Sequence, residues 1–539
     1  MKKMKYGMLA LLACSTMTLT GCFNLDEEPY SEITEESFIP TEQDAAALMA
    51  KAYTPLRFIY DWYGYFDLQE ESGDVIITPA RPNGWEDGGV YRAMHQHQWH
   101  DQSGQPGNTH WYCYSGINTA NRVKAQLDSD ELPVGDLKDP MIAELRAIRA
   151  LWYYMLLDNF GNVPLVTTWS DEIPTQATRQ EVYDFVVKEL TEAIPGLSTA
   201  NDATTYGRMN KWAALATLCR VYLNAEVYTG TPQWQKVVET ADQIINSGIF
   251  ALAPDFSDNF AVDNDYNNKE VIFAVVYDKL YGGFHQQHKW YPPVARDHFG
   301  NYSDYFWGGS CANPQFINAY EPGDKRLEKT WLMGKRYRHD NPEVVVWECI
   351  NKLPSLTCMR TGEDGKPKNE TSINWGYRVG KFEYDMATTG GWSNDFAYFR
   401  YAEILLSKAE ALMRMGKDEN VAADLVSQIR ARVFDDAAQA TVTPEDLKAD
   451  TRIQYGTLDW DGNLDQLGDQ TPVYLGGLYD EWGFEFACEA QRRSQMIRFG
   501  TFTTKNWFNH TPQGNHVTIF PIPYDELQTN PNLKQNPGY

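Results

Sequence analysis

The sequence predicts an all-α scaffold of helical hairpins that carries two long, loop-rich insertions. Three observations lead there. Apolar residues recur at three- and four-residue spacing in several separated blocks, and most of these blocks fall in neighbouring pairs. Between them, the stretches near 60–120 and 250–395 lack that period and are rich in Gly, Pro, Asn and aromatic residues.

The first block is "MIAELRAIRALWYYMLLDNFG", where Leu145, Ile148, Trp152 and Met155 form one apolar stripe and Gly161 supplies the stop. "TRQEVYDFVVKELTEAIPGL" follows, with Thr178 as N-cap and Glu181 three residues on, the spacing of a capping box. "MNKWAALATLCRVYLNAEVY" and "PQWQKVVETADQIINSG" read as a pair across the turn "TGTP". A second pair is "YFRYAEILLSKAEALMRMG" with "NVAADLVSQIRARVF", and "GLYDEWGFEFACEAQRRSQMIRFG" reads as one closing helix. Ala213, Ala214, Ala409 and Ala411 permit close helix contact, and the pairs are tetratricopeptide-like without meeting the strict repeat consensus. Cys219 and Cys488 sit in these patterns as small buried residues would, and only Cys349 and Cys358 are close enough in sequence to suggest a disulfide. Long loops in a compact protein usually carry function, so the ligand face is expected on the two insertions.

Lys and Arg number 47 against 73 Asp and Glu, a formal charge of −26 that opposes nucleic acid and anionic lipid. Aromatic residues make up 14% of the chain, with 17 Trp and 32 Tyr, more than a core of this size needs, so some rings are expected at solvent or a ligand. At the N-terminus, Lys2, Lys3 and Lys5 precede "GMLALLACSTMTLT", an apolar run too short to span a membrane, which reads as a processed export signal. The following "LTGC" is similar to the lipobox of bacterial lipoproteins, which makes residues 1–21 the signal and Cys22 the acylated first residue of the mature chain, anchored by lipid alone. Asp26, Glu27 and Glu28 then resemble the surface-export signal of Bacteroidetes lipoproteins, with a solvated acidic linker as the plainer reading.

Five stretches together resemble the SusD/RagB family of surface glycan-binding lipoproteins: "WYCYSGINTANRV", "ELRAIRALWYYMLLDNFGNVPLV", "GRMNKWAALATLCRVYL", "NDFAYFRYAEILLSKAEAL" and the ending "IFPIPYDELQTNPNLKQNPGY". They occur in the family's order along the mature chain. A departure falls at Trp482, Gly483, Ala490, Gln491 and Arg492, positions that bear on packing more than on function. The resemblance implies one domain over 22–539, a helical scaffold supporting a loop-rich ligand face, and no catalysis. It also implies a cell-surface site on the outer membrane of a Gram-negative bacterium and a SusC-like TonB-dependent transporter as partner.

Sugar recognition needs aromatic planes beside a few polar groups. On that basis the candidate ligand residues are Trp85 in the Gly-rich "RPNGWEDGGVY", with Asp67 and Arg81 nearby, and Trp290, Tyr291, Tyr305 and Trp307 in the second insertion, with Lys289 and Arg296 as hydroxyl donors. Asp74 serves either the ligand or loop architecture. Trp375, Tyr377, Arg378 and Trp392 read as returning to the scaffold. His95, His97, His100 and His110 match no zinc spacing, and Trp99 and Trp111 read as anchors of a loop running into a helix that buttresses Trp85. In "DWDGNLDQLGD", Asp459, Asp461, Asn463 and Asp465 alternate as in calcium loops, but the Gly sits at the fourth place and Gln470 at the twelfth, so a solvated acidic turn is expected and structural calcium is its alternative. No metal or cofactor is assigned. A scarcity of Lys and Arg points to a neutral plant glycan such as a β-glucan, xyloglucan or xylan. The competing readings are a secreted glycoside hydrolase, which needs two carboxylates paired across a cleft from among such residues as Glu70, Glu71 and Glu86, and a protein-docking lid with a weak glycan site.

Overall fold

The computed structural model describes residues 41–81, 87–280, 282–353, 355–356, 359–361, 367–369, 373–387 and 391–539. Cys22, the acidic run at 26–28, Trp85, Glu86 and Cys358 lie outside them. Eleven helices position the molecule: α1 (Tyr65–Glu70), α2 (Val90–His95), α3 (Gly104–Asp128), α4 (Lys138–Asn159), α5 (Arg179–Ala193), α6 (Lys211–Leu223), α7 (Trp234–Ile245), α8 (Tyr401–Met415), α9 (Glu419–Arg430), α10 (Gly476–Phe486) and α11 (Arg492–Arg498). Helix α3 packs on α4, α4 on α5, α6 on α7, α7 on α8, and α8 on α9, so the two pairs read from the sequence are hairpins. Their ends follow the expected chemistry. Both hydrogen bonds of the Thr178–Glu181 capping box form, the Asn210 side chain accepts from the amides of Trp212 and Ala213, and Gly161 adopts a left-handed φ of 70°. Among the described residues, no helix is long and apolar enough to cross a membrane.

An all-α description needs amendment, because the described residues also form five two-stranded antiparallel ribbons. One joins the two insertions: β1 (Ile76–Ile77) pairs with β3 (Cys311–Ala312), Ile76 opposite Ala312. Another pairs β2 (Val271–Val275) with β4 (Phe396–Arg400). Tyr398 to Arg400, expected at the start of a helix, therefore run on as strand, and α8 begins at Tyr401. Every residue of β2 and β4 is buried, and their β-branched and aromatic side chains fill that interior better as strand than as helix.

The first insertion is less irregular than its composition suggests, since 104–128 is the 25-residue helix α3. Pro106 lies in the first turn, where a missing amide is tolerated. Gly116 faces α4, and a Cβ there would overlap the indole of Trp152, which is itself fixed by a 3.0 Å hydrogen bond from Nε1 to the Ala52 carbonyl. Gly116→Ala is expected to cost about 1–3 kcal/mol of stability despite Ala's better helix propensity. A lowered unfolding midpoint checks this, and an unchanged one would mean that α4 shifts aside freely. Trp99 packs inward as expected, with Nε1 donating to the Tyr539 hydroxyl at 2.6 Å. Trp111 does not anchor anything: it stands on the solvent face of α3 and is 59% exposed.

The stretch expected as one closing helix is broken between α10 and α11, where Cys488 and Ala490 take left-handed φ values of 64° and 58°. The break turns the amides of Cys488 and Gln491 toward the buried Glu70 carboxylate, at 3.3 and 3.1 Å. Cys488 is buried, but in this turn and not in a helix. Beside it, Arg492 grips Asp74 through Nε at 2.6 Å and Nη2 at 3.1 Å, and Tyr455 donates to the same carboxylate at 2.7 Å, which assigns Asp74 to architecture. A Cβ on Gly483 would fall 2.7 Å from Arg492 Nη1, so the departure at 483 is indeed a matter of packing.

Deeper still lies a network of buried charge. Arg400 reaches Glu270 at 2.5 Å, Glu489 at 2.7 Å and Glu485 at 3.1 Å. Arg432 pairs with both Glu270 and Glu485, and Lys381 donates to Glu489 at 2.5 Å. It joins the segment before β2, the end of β4 and the break after α10.

Candidate functional site

The two insertions converge, though not at first through exposed groups. Asp67 on α1 and Lys289 form an ion pair that is fully buried, with Lys289 Nζ also 2.9 Å from Glu71 and Asp67 accepting from the Tyr63 amide at 2.6 Å and the Tyr91 hydroxyl at 2.9 Å. Burial works against the Lys289 charge, but the two carboxylates outweigh it and hold the ammonium above its ordinary range. Burial, together with Glu71, pushes Asp67 up against the pull of Lys289. Both residues were expected at sugar hydroxyls; instead they bolt one insertion to the other.

Trp290 and Tyr291 need the same correction. The short turn Gln287–Trp290 directs Trp290 inward, where it stacks on Phe382 at 5.5 Å and 25°, and Tyr291 is buried against Phe299 and Phe306. Arg81 is buried and donates to the Trp375 carbonyl at 2.9 Å, while half-buried Arg296 turns back on the Pro293 carbonyl at 3.4 Å. Arg378 and Trp392 are buried in the scaffold, as expected.

What reaches the surface is a set of rings and polar groups held by the same bolt. The Trp307 amide donates to the His288 carbonyl at 2.6 Å and that of Ser310 to the Lys289 carbonyl at 3.0 Å, which lays residues 305–310 along 288–289. Trp307 then meets Trp62 edge-on at 5.0 Å and His288 at 5.3 Å, and Tyr305, 65% exposed, lies 6.4 Å from His288. Asp61 accepts from the His285 amide at 3.0 Å and lies 2.6 Å from His285 Nδ1, stitching the first insertion to the second. Burial works against protonation of His285, yet Asp61 prevails and raises its pKa. Trp307 and Tyr305 are thus brought together from the expected set. Trp62 was missed, although the aromatic run "YDWYGYF" was a signal for it.

Two histidines of the first insertion, His95 and His97, join an interior ring cluster, while His100 is exposed and His110 packs apart against Tyr114 and Phe160. His95 Nε2 lies 2.5 Å from the Phe508 carbonyl and His97 Nε2 2.8 Å from that of Ser72, with His510 packed 4.2 Å from His97. Burial pushes His95 down to about 4 and His97 to about 3, so both are neutral at pH 7. Among the described residues, no group of three or more His, Cys, Asp or Glu is placed to hold a metal ion. In the acidic loop, Asp459 Oδ1 accepts from the amides of Asp461 at 2.9 Å and Asn463 at 2.8 Å, the bonds of a closed turn. Of the carboxylates considered for hydrolysis, Glu70 and Glu71 are both buried and spent on the scaffold.

Residues 269–539 match the family described as "SusD family", and residues 24–223 match "Starch-binding associating with outer membrane". The starch-binding protein SusD of Bacteroides thetaiotaomicron is 25% identical over 440 residues, 74% of this chain and 72% of that protein. Among solved structures, a SusD superfamily protein from Parabacteroides distasonis superposes with a TM-score of 0.69 at 22% identity, covering 92% of this chain and 99% of that one. Surface glycan-binding protein A from Bacteroides thetaiotaomicron, in complex with laminarihexaose, gives 0.68 at 17% identity, with 92% and 99% covered.

Proposed function

The chain belongs to the SusD family, and from that premise we propose that it captures a polysaccharide, or oligosaccharides cut from it, on the platform of Trp62, Trp307 and Tyr305. Two of its relatives are named as starch-binding and glycan-binding proteins, and the chain is not an enzyme. The observation that carries the platform is the edge-on pair of indoles from two distant insertions, set beside His285 and His288 as hydrogen-bonding groups. Sugar rings offer C–H faces to such planes and hydroxyl edges to such polar groups. Trp85, which lies outside the described residues, is a further ligand residue on the strength of its sequence alone. In this reading the helical pairs are a tetratricopeptide-like support, and the ligand is neutral, a β-glucan, xyloglucan or xylan, because among the described residues the charged groups paired with the histidines beside the rings are the carboxylates of Asp61 and Asp304. Cys22 is the lipid anchor, the outer membrane the location, and a SusC-like TonB-dependent transporter the partner that receives the sugar.

Affinity electrophoresis through gels containing each soluble glycan tests the platform. Trp62→Ala with Trp307→Ala is expected to weaken binding at least about tenfold, roughly the sum of two stacking contributions and the lost contact area. Unchanged mobility of that variant in every gel that retards the parent would sink the proposal. Reducing ends released with time by the parent protein would return the hydrolase reading to the front.

A further inference from the structure

Trp111 and Trp169 are the two most exposed tryptophans among the described residues, each at 59%, and both line one cavity of about 750 Å³. The inner wall is α3. Along it, Gly104, Asn108, Trp111, Ser115, Asn118 and Arg122 recur at three- and four-residue steps and so share one face of the helix. Gly104 and Asn108 line an adjoining cavity of about 370 Å³ that also has Trp111 in its wall, so the two spaces meet at this indole.

The outer wall is the 169–174 loop, and it is already built. Asn530 donates to the Pro174 carbonyl at 3.0 Å, and Gln176 donates to the carbonyls of Asn162 and Lys534, each at 3.0 Å. No large rearrangement is needed to form the groove. It also connects to the platform. Asn108 Nδ2 donates to the Tyr63 carbonyl at 3.1 Å, and the Tyr63 ring lies 5.7 Å from that of Trp62.

The chemistry selects the ligand. Short amides and hydroxyls alternate with one indole on each wall, which matches the hydroxyl edges and C–H faces of sugar rings. Against the single cation Arg122 stand Asp171, Glu172 and Glu526, so the groove repels anionic chains. We propose that this groove is a second glycan subsite, which takes a further stretch of the same neutral polysaccharide chain that lies on the Trp62–Trp307 platform. The inference rests on the glycan-binding reading of that platform and extends it to long chains. Two linked subsites raise the affinity for a polymer without changing that for a fragment too short to span them.

Calorimetric titration of the purified protein with laminarin, xyloglucan and xylan, and with the hexasaccharide of whichever binds, separates the possibilities. Trp111→Ala with Trp169→Ala is expected to weaken polysaccharide binding at least about fivefold and to leave hexasaccharide affinity unchanged within about twofold. Both rings are exposed, so the thermal midpoint should hold. Polysaccharide affinity equal to the parent's would overturn the inference, and so would an equal fall for polymer and hexasaccharide, which would mean one shared site. If the variant binds polymer normally but no longer co-purifies with a transporter partner, the groove is a docking face and the proposal is wrong. Should Trp62→Ala with Trp307→Ala leave polymer binding intact while the Trp111 and Trp169 changes abolish it, the platform reading fails and the groove stands. Failure of the parent to bind any of the three polymers removes both.

Discussion

Replacing Arg400 by Met is expected to cost about 3–5 kcal/mol of stability, the cost of leaving a buried charge without its partner. Three carboxylates, Glu270, Glu485 and Glu489, lie within 3.1 Å of that one guanidinium in a region closed to water. Arg432 and Lys381 remain, but each already serves one or two of the same acids. A second substitution makes the mechanism visible. Glu489→Met added to Arg400→Met should recover part of the loss, since the pair is then removed together and its desolvation with it. The measurement is the urea midpoint of the single and double variants. Loss of less than about 1 kcal/mol in the single variant would show that the remaining cations neutralise the cluster on their own.

Stability should change little from pH 7 down to about pH 5 and then collapse below pH 4.5, and the sign of each contribution says why. Burial would raise Glu485, but Arg432 and Arg400 overcome it and hold the group down at about 2; Glu270 and Glu481 are held low in the same way. These carboxylates contribute stability in full above their ordinary value of 4.5 and lose it as pH falls toward about 2. The interior histidines act earlier. Below 6.5 the unfolded chain takes up protons that buried His95 and His97 refuse until about 4 and about 3, so stability drains away as pH falls through that range. Glu70 and Asp480 oppose them, because burial pushes both up to about 7 and the folded state keeps protons that the unfolded chain releases. The opposing sets offset each other between pH 6.5 and 4.5; Asp480 still gains until its ordinary 3.8, against the growing loss from the paired carboxylates and the histidines, and below that all of these contributions point the same way. Thermal midpoints from pH 8 to 3 at fixed ionic strength measure this. A steady decline beginning at pH 7 would mean that the histidines outweigh the buried acids.

Much of the helical scaffold was legible because its signals are local. Thr178, Glu181 and Gly161 each act within a turn of their own position. Helix α3 was obscured by Pro106 and Gly116, whose tolerance depends on position in the first turn and on an indole from another helix. Had that helix been recognised, Trp111 would have fallen between Asn108 and Ser115 on a polar face, and its exposure would have been evident. The errors at Trp290 and Lys289 have another source. "HQQHKWYPP" looks solvated, but Lys289 finds its carboxylate at Asp67, 222 positions away, and a cation neutralised in that way can be buried and carry its neighbour inward. Polar neighbours in sequence measure exposure only when their partners are water.

The break after α10 that receives Glu70 also sets an order of events. Glu70 waits for the amide of Cys488 and Asp74 for Arg492, each 418 positions further along, and Trp99 for Tyr539, 440 positions away. Closing such a loop costs only slightly more entropy than closing a shorter one, yet nothing offsets that cost until the late segment exists. A nascent chain can therefore assemble the hairpins of α4 through α7 as they emerge, but the base of the platform stays unsealed until the last tenth of the polypeptide arrives.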